Sequence, residues 1–412
     1  GGEMARPRSA AAWVPLLLLL GAAAPAGARC PDQHGLAENP RDPSAPGPYP
    51  VGAVLGNVTV RDGRLGLPRT ITVEAWYPAV PGSQRGQERL AYDIREHTPP
   101  KQRALLADAA NVTRQPCDCY RGLSVADGGP FPLLLYIHGT AAFRTASLHQ
   151  QTHWASRGFV VVAADHPGIQ LLDLLGVADG IIPPRDNQEG DARAILEALA
   201  GLPAAAPSLG PLAGHLDLNR VAVAGHSAGG FACDSLGDVA DVLIPMSGAV
   251  PRPGPRVKSV LALSARNDTV VDYAREVASY EGCEVAPKRF AAVDALGHLF
   301  CTDLCWIGAS AGGIVQIALH HGIEVAKWFE SLGQNGCAYL DAPTGARFLP
   351  PECGWLFVDF ATSAALEEVL RCDGSMAGRL AGMRSGLPPR PGCPAHAVFE
   401  YRERLGGREV LV

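Results

Sequence analysis

The chain has 412 residues, of which 47% are hydrophobic and 18% are charged, and its net charge is −6 at pH 7. This apolar content excludes general disorder, and the length fits one large α/β domain with extensions or two domains. A mildly acidic surface attracts neither nucleic acid nor an anionic membrane, so we expect a small, neutral substrate.

The N-terminal segment has the pattern of a secretory signal peptide over residues 4–28. Two arginines precede an apolar run over 10–24, and an A-x-A sequence ends at Ala28. A membrane anchor is disfavoured, because about fifteen apolar residues are fewer than the ~20 that a spanning helix requires. We therefore predict a secreted or periplasmic protein, cleaved near Ala28.

The cysteines support the same compartment. Eleven cysteines suit an oxidising environment, in which disulfides persist. Their spacings do not form paired C-x-x-C knuckles, so we predict no zinc site and no catalytic cysteine. Four of them belong to a C-terminal extension over 336–412, which we expect them to tie to the core. The odd total leaves at least one cysteine free or paired between chains, and the connectivity stays open.

A flexible, proline-rich lead-in is predicted over 29–50, followed by a catalytic domain over 51–335. The alternation of apolar and polar residues over 58–60 and 70–77 predicts two antiparallel strands at the start of a mixed sheet. The polar stretch over 81–129 is interpreted as a surface insertion that contains one short helix.

A parallel sheet is predicted from residue 131 onward. The run Leu133-Leu134-Leu135-Tyr136-Ile137 is apolar throughout, as expected of a strand buried on both faces. The further predicted strands are 159–164, 221–224, 241–245, 257–264 and 288–293, and the predicted helices are 147–157, 186–200, 228–236, 311–332 and 362–371. This alternation predicts an α/β fold with a mostly parallel central sheet flanked by helices.

Two features between these elements allow alternatives. The leucine-rich segment 169–182 is broken by glycines and is either part of the core or a flap over the active site, and we favour the flap. His149 and His153 have the spacing of two metal ligands on a helix, but no carboxylate in H-E-x-x-H register accompanies them. We therefore predict no metal and no cofactor.

The sequence Gly225-His226-Ser227-Ala228-Gly229 matches G-x-S-x-G between a strand and a helix. The glycines permit a sharp turn that holds Ser227 in a strained conformation with its hydroxyl in a cleft, so we predict Ser227 as the nucleophile. In hydrolases of this layout, the N–H after the nucleophile and one from an earlier strand-ending loop bind the oxyanion. Here these are the N–H groups of Ala228 and Thr140.

The partners of the serine follow in the chain order Ser, Asp, His. Asp268 comes just after the strand 257–264 and is the predicted acid, with Asp272 and Asp294 as rivals. His298 lies on a loop after the last predicted core strand and is the predicted general base.

Several separated motifs resemble one family. HGTAAFRT at 138–145, ASRGFVVVAADH at 155–166, EAWYP at 74–78 and GHSAGG at 225–230 are similar to the platelet-activating factor acetylhydrolase and predicted dienelactone hydrolase group of α/β-hydrolases. The resemblance implies a serine esterase that needs no metal or cofactor and acts on short or oxidised acyl esters.

One feature departs from the acetylhydrolases. Their triad acid follows the strand next after the nucleophile helix, where this chain has Pro245-Met246-Ser247. The position of Asp268 instead resembles the dienelactone-hydrolase-like and polyester-hydrolase branches, which argues against phospholipid substrates.

We therefore expect a secreted esterase that acts on small-molecule esters with short-chain or polyester-like acyl groups, without nucleic acid or stable membrane insertion. The alternatives are a lactone or amide hydrolase with the same residues, and a catalytically silent binding protein on this fold.

Overall fold

The structure is a computed structural model that describes residues 36–61, 68–204, 206–250, 252, 254–394, 398–406 and 408–411. The predicted signal peptide over 4–28 and the first part of the lead-in lie outside these residues.

The described strands and helices largely follow the predicted alternation. The strands are β1 (Val51–Arg61), β2 (Pro68–Pro78), β3 (Ala91–Asp93), β4 (Arg114–Pro116), β5 (Tyr120–Arg121), β6 (Phe131–Ile137), β7 (Val160–Ala164), β8 (Leu216–His226), β9 (Val242–Met246), β10 (Ser259–Ala265), β11 (Lys288–Val293), β12 (Val398–Leu405) and β13 (Arg408–Leu411). The helices are α1 (Pro100–Leu105), α2 (Leu148–Ser156), α3 (Leu171–Gly176), α4 (Gln188–Ala200), α5 (Ala228–Ala232), α6 (Tyr273–Gly282), α7 (Ile314–His320), α8 (Lys327–Leu332), α9 (Pro351–Leu370) and α10 (Ser375–Gly382).

The central sheet has eleven strands in the order β13-β12-β11-β10-β9-β8-β6-β7-β2-β1-β5. Neighbours from β11 to β7 pair in parallel. The pair β1 and β2 is antiparallel, and β2 joins β7 in antiparallel register. The predicted fold class is confirmed: a mostly parallel sheet that opens with an antiparallel hairpin.

Strand β6 shows why the sheet is buried on both sides. All seven of its residues are buried. Leu134 and Tyr136 pack in one cluster with residues of α2 and α9, whereas Leu133 and Leu135 pack in another with residues of α4. Because side chains alternate along a strand, a strand between two helical layers is apolar at every position.

The C-terminal extension differs from its prediction in two ways. Helix α9 starts at Pro351, well before the predicted residue 362, and is buried on nearly all sides. A helix that is buried on all sides lacks the amphipathic period from which the first and last residues of a helix are predicted. The extension also adds β12 and β13 to the edge of the sheet, where β12 pairs antiparallel with β11. No strand was predicted there, because half of the residues of β12 are charged.

Two shorter elements also differ from the predicted boundaries. The predicted helix over 311–332 is two helices, α7 and α8, separated by a turn at Gly322, whose φ is +73°. Helix α5 ends at Ala232 and continues as a 3-10 turn over Cys233–Ser235.

Disulfides hold the extension. Cys305 bonds to Cys337 and Cys353 to Cys393. Cys372 is also disulfide-bonded, and Cys117 bonds to Cys119. Three cysteines of the described residues are free and buried: Cys233, Cys283 and Cys301. This set of disulfides indicates an extracellular or periplasmic location.

The described part of the lead-in, from Leu36 to Pro50, has no helix or strand but is bound to the domain. The buried guanidinium of Arg157 donates to the carbonyl oxygens of Pro40, at 3.1 Å, and Ala45, at 2.6 Å. It also pairs with Glu367 of α9. Among the described helices, none is long and apolar enough to cross a bilayer.

Candidate active site

The predicted site residues meet at one edge of the sheet. Thr140 follows β6, Ser227 follows β8, Asp268 follows β10 and His298 follows β11. These strands run in parallel, so their carboxyl ends lie at the same edge, where open α/β sheets bind ligands. Residues spread over 159 positions of the chain therefore come together through topology alone.

Ser227 occupies a strained turn between β8 and α5. Its φ is 55° and its ψ is −119°, values that non-glycine residues rarely adopt. A Cβ on Gly225 would lie 2.2 Å from the carbonyl oxygen of Gly229, and a Cβ on Gly229 would lie 2.1 Å from that of Ile137. Only glycine fits at both positions, so the G-x-S-x-G spacing is a steric requirement of this turn.

Asp268 and His298 form a buried pair. The imidazole Nδ1 of His298 donates to Asp268 Oδ2 at 2.8 Å. The other oxygen, Oδ1, accepts the backbone N–H groups of Val270, at 2.7 Å, and Val271, at 2.8 Å. Burial opposes ionisation of Asp268, but these hydrogen bonds outweigh it and hold the pKa of the carboxyl below its usual value. The aspartate is therefore ionised and fixes His298 with its proton on Nδ1.

With its proton on Nδ1, His298 has Nε2 free as a proton acceptor. Both Ser227 and His298 line the same cavity. Within the described part of the chain, no hydrogen bond joins the Ser227 hydroxyl to His298. Catalytic hydrogen bonds are often long before substrate binds and tighten in the complex.

The N–H groups of Thr140 and Ala228 donate to no acceptor among the described residues. The turn that carries Thr140 is held by His138, whose Nδ1 donates to the Gly139 carbonyl at 2.8 Å and whose Nε2 accepts the His166 N–H at 3.0 Å. Two free N–H groups on rigid turns beside a serine can bind an oxyanion.

The rival acids lie in other roles. Asp272 caps α6 and accepts the Arg275 N–H, and Asp294 is half exposed beside Arg266. The histidines with metal-ligand spacing also have other partners, since His149 and His153 both face the carboxylate of Asp359. In the described residues, no group of three or more His, Cys, Asp or Glu is arranged to hold a metal.

Asn335 is a site residue that the sequence did not reveal. Its Oδ1 accepts the N–H of His298, at 2.7 Å, and the N–H of Thr269, at 3.2 Å. Its carbonyl accepts the N–H of Leu299 at 3.0 Å. One side chain therefore joins the acid loop to the histidine loop. No motif surrounds Asn335, and the only nearby signal was the neighbouring disulfide cysteine, Cys337.

Ser247 and His226 also support the pair. The Ser247 hydroxyl donates to Asp268 Oδ2 at 2.7 Å, from the position where the acetylhydrolases are expected to carry their acid. The Nε2 of His226 donates to the carbonyl of His298 at 2.9 Å. Burial, aided by the nearby His298, lowers the pKa of His226 to about 3, so this histidine stays neutral and carries its single proton on Nε2.

The cavity over Ser227 is narrow and almost wholly apolar. Its volume is about 90 Å³. Its walls come from the loops at 139–143 and 298–304 and from three other segments, whose lining residues lie within 94–113, 171–175 and 314–333. We call these three segments, with the second continued to residue 182, the roof. The insertion and the leucine-rich segment, predicted as surface and flap, thus both cover the candidate site. An apolar wall with a few polar groups at one end is the usual form of a small-molecule site.

Comparisons with known proteins bear on the fold and on part of the chain. A ferulic acid esterase from Streptomyces cinnamoneus has a similar structure, with a TM-score of 0.54, 22% identity, and coverage of 80% of this chain and 92% of that chain. At this identity the likeness shows the fold alone. The chain has the α/β-hydrolase fold.

Within that fold class, residues 43–168 match the family described as platelet-activating factor acetylhydrolase, isoform II. The similarity to the acetylhydrolases therefore extends over residues 43–168, which include three of the four motifs that predicted it. No curated protein matches the chain.

Proposed function

We propose that the protein is a secreted serine hydrolase that cleaves carboxylic esters through an acyl-enzyme. The observation that carries this proposal is the Asp268–His298 pair, which opens onto the same cavity as the strained Ser227. The similarity to an esterase and to the acetylhydrolase family supports an ester as the substrate. The disulfides support secretion, for which the proposed signal is the peptide over 4–28, cleaved near Ala28.

In the first step, His298 Nε2 takes the proton of the Ser227 hydroxyl as Oγ attacks the ester carbonyl. Asp268 stabilises the imidazolium that forms and keeps Nδ1 protonated. The carbonyl oxygen becomes an oxyanion, which accepts the N–H groups of Thr140 and Ala228. The imidazolium then gives its proton to the leaving alcohol, and the C–O bond breaks.

In the second step, His298 removes a proton from water, and the resulting hydroxide attacks the acyl carbon. The acid product leaves as Ser227 recovers its proton from His298. No metal or cofactor takes part in these steps. The aliphatic walls of the cavity favour an aliphatic acyl group, of the short-chain or polyester-like kind, since a charged group would lose its hydration there without a partner.

The test is turnover of p-nitrophenyl acetate by the wild-type protein, by Ser227→Ala and by Ser235→Ala. Ser235 is exposed in the 3-10 turn that follows α5 and serves as a matched control. We expect Ser227→Ala to lose turnover and Ser235→Ala to retain it. Absence of turnover in all three, with p-nitroanilide and lactone substrates also inert, would favour a silent binding protein. Turnover of a lactone or an anilide alone would favour the other hydrolases.

A further inference from the structure

The roof is a small packed unit of its own. Leu106, Ile317 and Ile323 form an apolar cluster, separate from the cores beside the sheet, and Leu175 packs against it. These residues come from all three roof segments. Each segment therefore buries its inner apolar side chains against the other two and against the cavity.

Polar contacts join the same segments at the outer surface. Asp179 accepts the side-chain amide of Gln102 at 2.7 Å and pairs with Lys101. His321 contacts Asp108 at 3.1 Å. The polar groups that border the roof thus carry both signs of charge and pair with each other.

The roof also exposes apolar side chains to an unusual degree. The large apolar residues exposed in the described part of the chain are Leu55, Leu105, Val177, Ile181, Ile182, Trp306, Leu319, Trp328, Phe399 and Leu405. Six of these ten lie on the roof: Leu105, Val177, Ile181, Ile182, Leu319 and Trp328. Ile182 is the extreme case, with 91% of its surface exposed. Single exposed apolar residues are ordinary, but a group of them around one feature marks an interaction surface.

We propose that the outer face of the roof rests on a neutral, condensed ester phase, such as a droplet of insoluble ester, from which substrate enters the cavity beneath. This inference depends on the proposed esterase activity and identifies how the ester is presented. The occupant must deliver an ester to Ser227, and the exposed apolar residues lie on the segments that line the cavity holding Ser227. A droplet of insoluble ester covers the exposed apolar side chains and also contains the substrate.

The charge of the protein favours a neutral ester phase over an anionic membrane. The net charge of −6 opposes adsorption to an anionic membrane, and the paired charges beside the roof provide no basic patch. Adsorption would depend on the apolar area removed from water, so added salt should not release the protein.

The binding test uses Ser227→Ala, so that the droplet is not consumed, and a triolein-in-water emulsion separated by flotation. The roof variant adds Val177→Asp and Ile182→Asp, neither of which lines the cavity. The control variant adds Leu55→Asp and Leu405→Asp on β1 and β12, where the side chains are 41% and 50% exposed, so it also places two aspartates at apolar surface positions, but outside the roof. We expect the roof variant to bind the emulsion about tenfold or more weakly than the control variant, since each aspartate replaces an apolar contact with a charge.

The activity test keeps Ser227 and compares turnover of emulsified tributyrin with turnover of dissolved p-nitrophenyl acetate. We expect the ratio of the two rates to fall about tenfold in the roof variant and to stay constant in the control. A general folding defect would lower both rates together and leave the ratio unchanged.

Equal flotation of the roof and control variants, with the wild-type protein active on the dissolved ester, would overturn the inference and leave the proposed function intact. Loss of turnover on every ester would overturn the proposed function instead. A dimer of the wild-type protein that dissociates in the roof variant would also overturn the inference, by showing that a second copy covers this face.

Discussion

The substitution Asp268→Asn tests how the buried pair works. The asparagine side chain has one acceptor and one NH₂ group in place of two acceptors. The N–H groups of Val270 and Val271 both point at Oδ1, so the amide oxygen takes that position. The NH₂ group then faces His298 Nδ1, which must become an acceptor. The proton moves to Nε2, where it blocks removal of the Ser227 proton.

The magnitude follows from the tautomer. A histidine held with its proton on the wrong nitrogen lowers kcat by about 10³- to 10⁴-fold, or roughly 4 to 5.5 kcal/mol of transition-state stabilisation. Ground-state binding should change little, because Asp268 lies behind the histidine, so KM stays near the wild-type value.

The assay is steady-state hydrolysis of p-nitrophenyl acetate, with melting temperature as the check on folding. Asp272→Asn and Asp294→Asn are the matched controls, since each removes one charge from a rival acid at the surface. We expect near wild-type kcat from both. A folded Asp268→Asn protein with less than a tenfold loss of kcat would refute the tautomer argument. A large loss of kcat in either control would identify that control's aspartate as the acid of the site.

Three further changes test the surroundings of the site. Asn335→Ala removes the acceptor shared by the Thr269 and His298 loops and should lower kcat about tenfold with little change in KM. Asn335→Asp keeps an acceptor and should recover part of the loss. Equal kcat in the wild-type protein and both variants would contradict this role. Removing the Cys305–Cys337 disulfide opens a loop of 32 residues and should lower the free energy of unfolding by about 3 to 4 kcal/mol in a urea titration, and an unchanged midpoint would contradict the assignment. Burial raises the pKa of Glu276 from 4.5 to about 9, so between these pH values the folded protein holds a proton that the unfolded chain has released. The free energy of unfolding should therefore fall as pH rises from 4.5 to about 9, and Glu276→Gln should flatten this fall in melting experiments. The same pH dependence of the melting temperature in the wild-type protein and in Glu276→Gln would contradict this.

The chemical motifs were predictable because their signals are local. The turn around Ser227 requires glycine at fixed positions, and the acid and histidine follow strands that are mostly apolar. Parallel strands place their carboxyl ends at one edge, so chain order is enough to bring Ser227, Asp268 and His298 together.

Of the roof, only the flap at 169–182 was predicted, because the contacts of the roof join segments that are far apart in sequence. Ile317 and Leu106 pack together only after the fold forms, and neither lies in a motif. The same holds for Asn335, whose role depends on a backbone N–H of His298 and not on a pattern of side chains. Strand β12 was missed for a different reason: half of its residues are charged and remain paired or solvated beside the edge strand β13, so it lacks the apolar signature of a core strand.

The central claim is that Ser227 is the acyl-accepting nucleophile, activated by His298. Labelling with a fluorophosphonate, followed by peptide mass mapping, tests it most directly, because the reagent bonds covalently to an activated serine. We predict one label per chain, on Ser227, with labelling strongly slowed in His298→Ala. A label on another residue, or a rate unchanged by His298→Ala, would contradict the account.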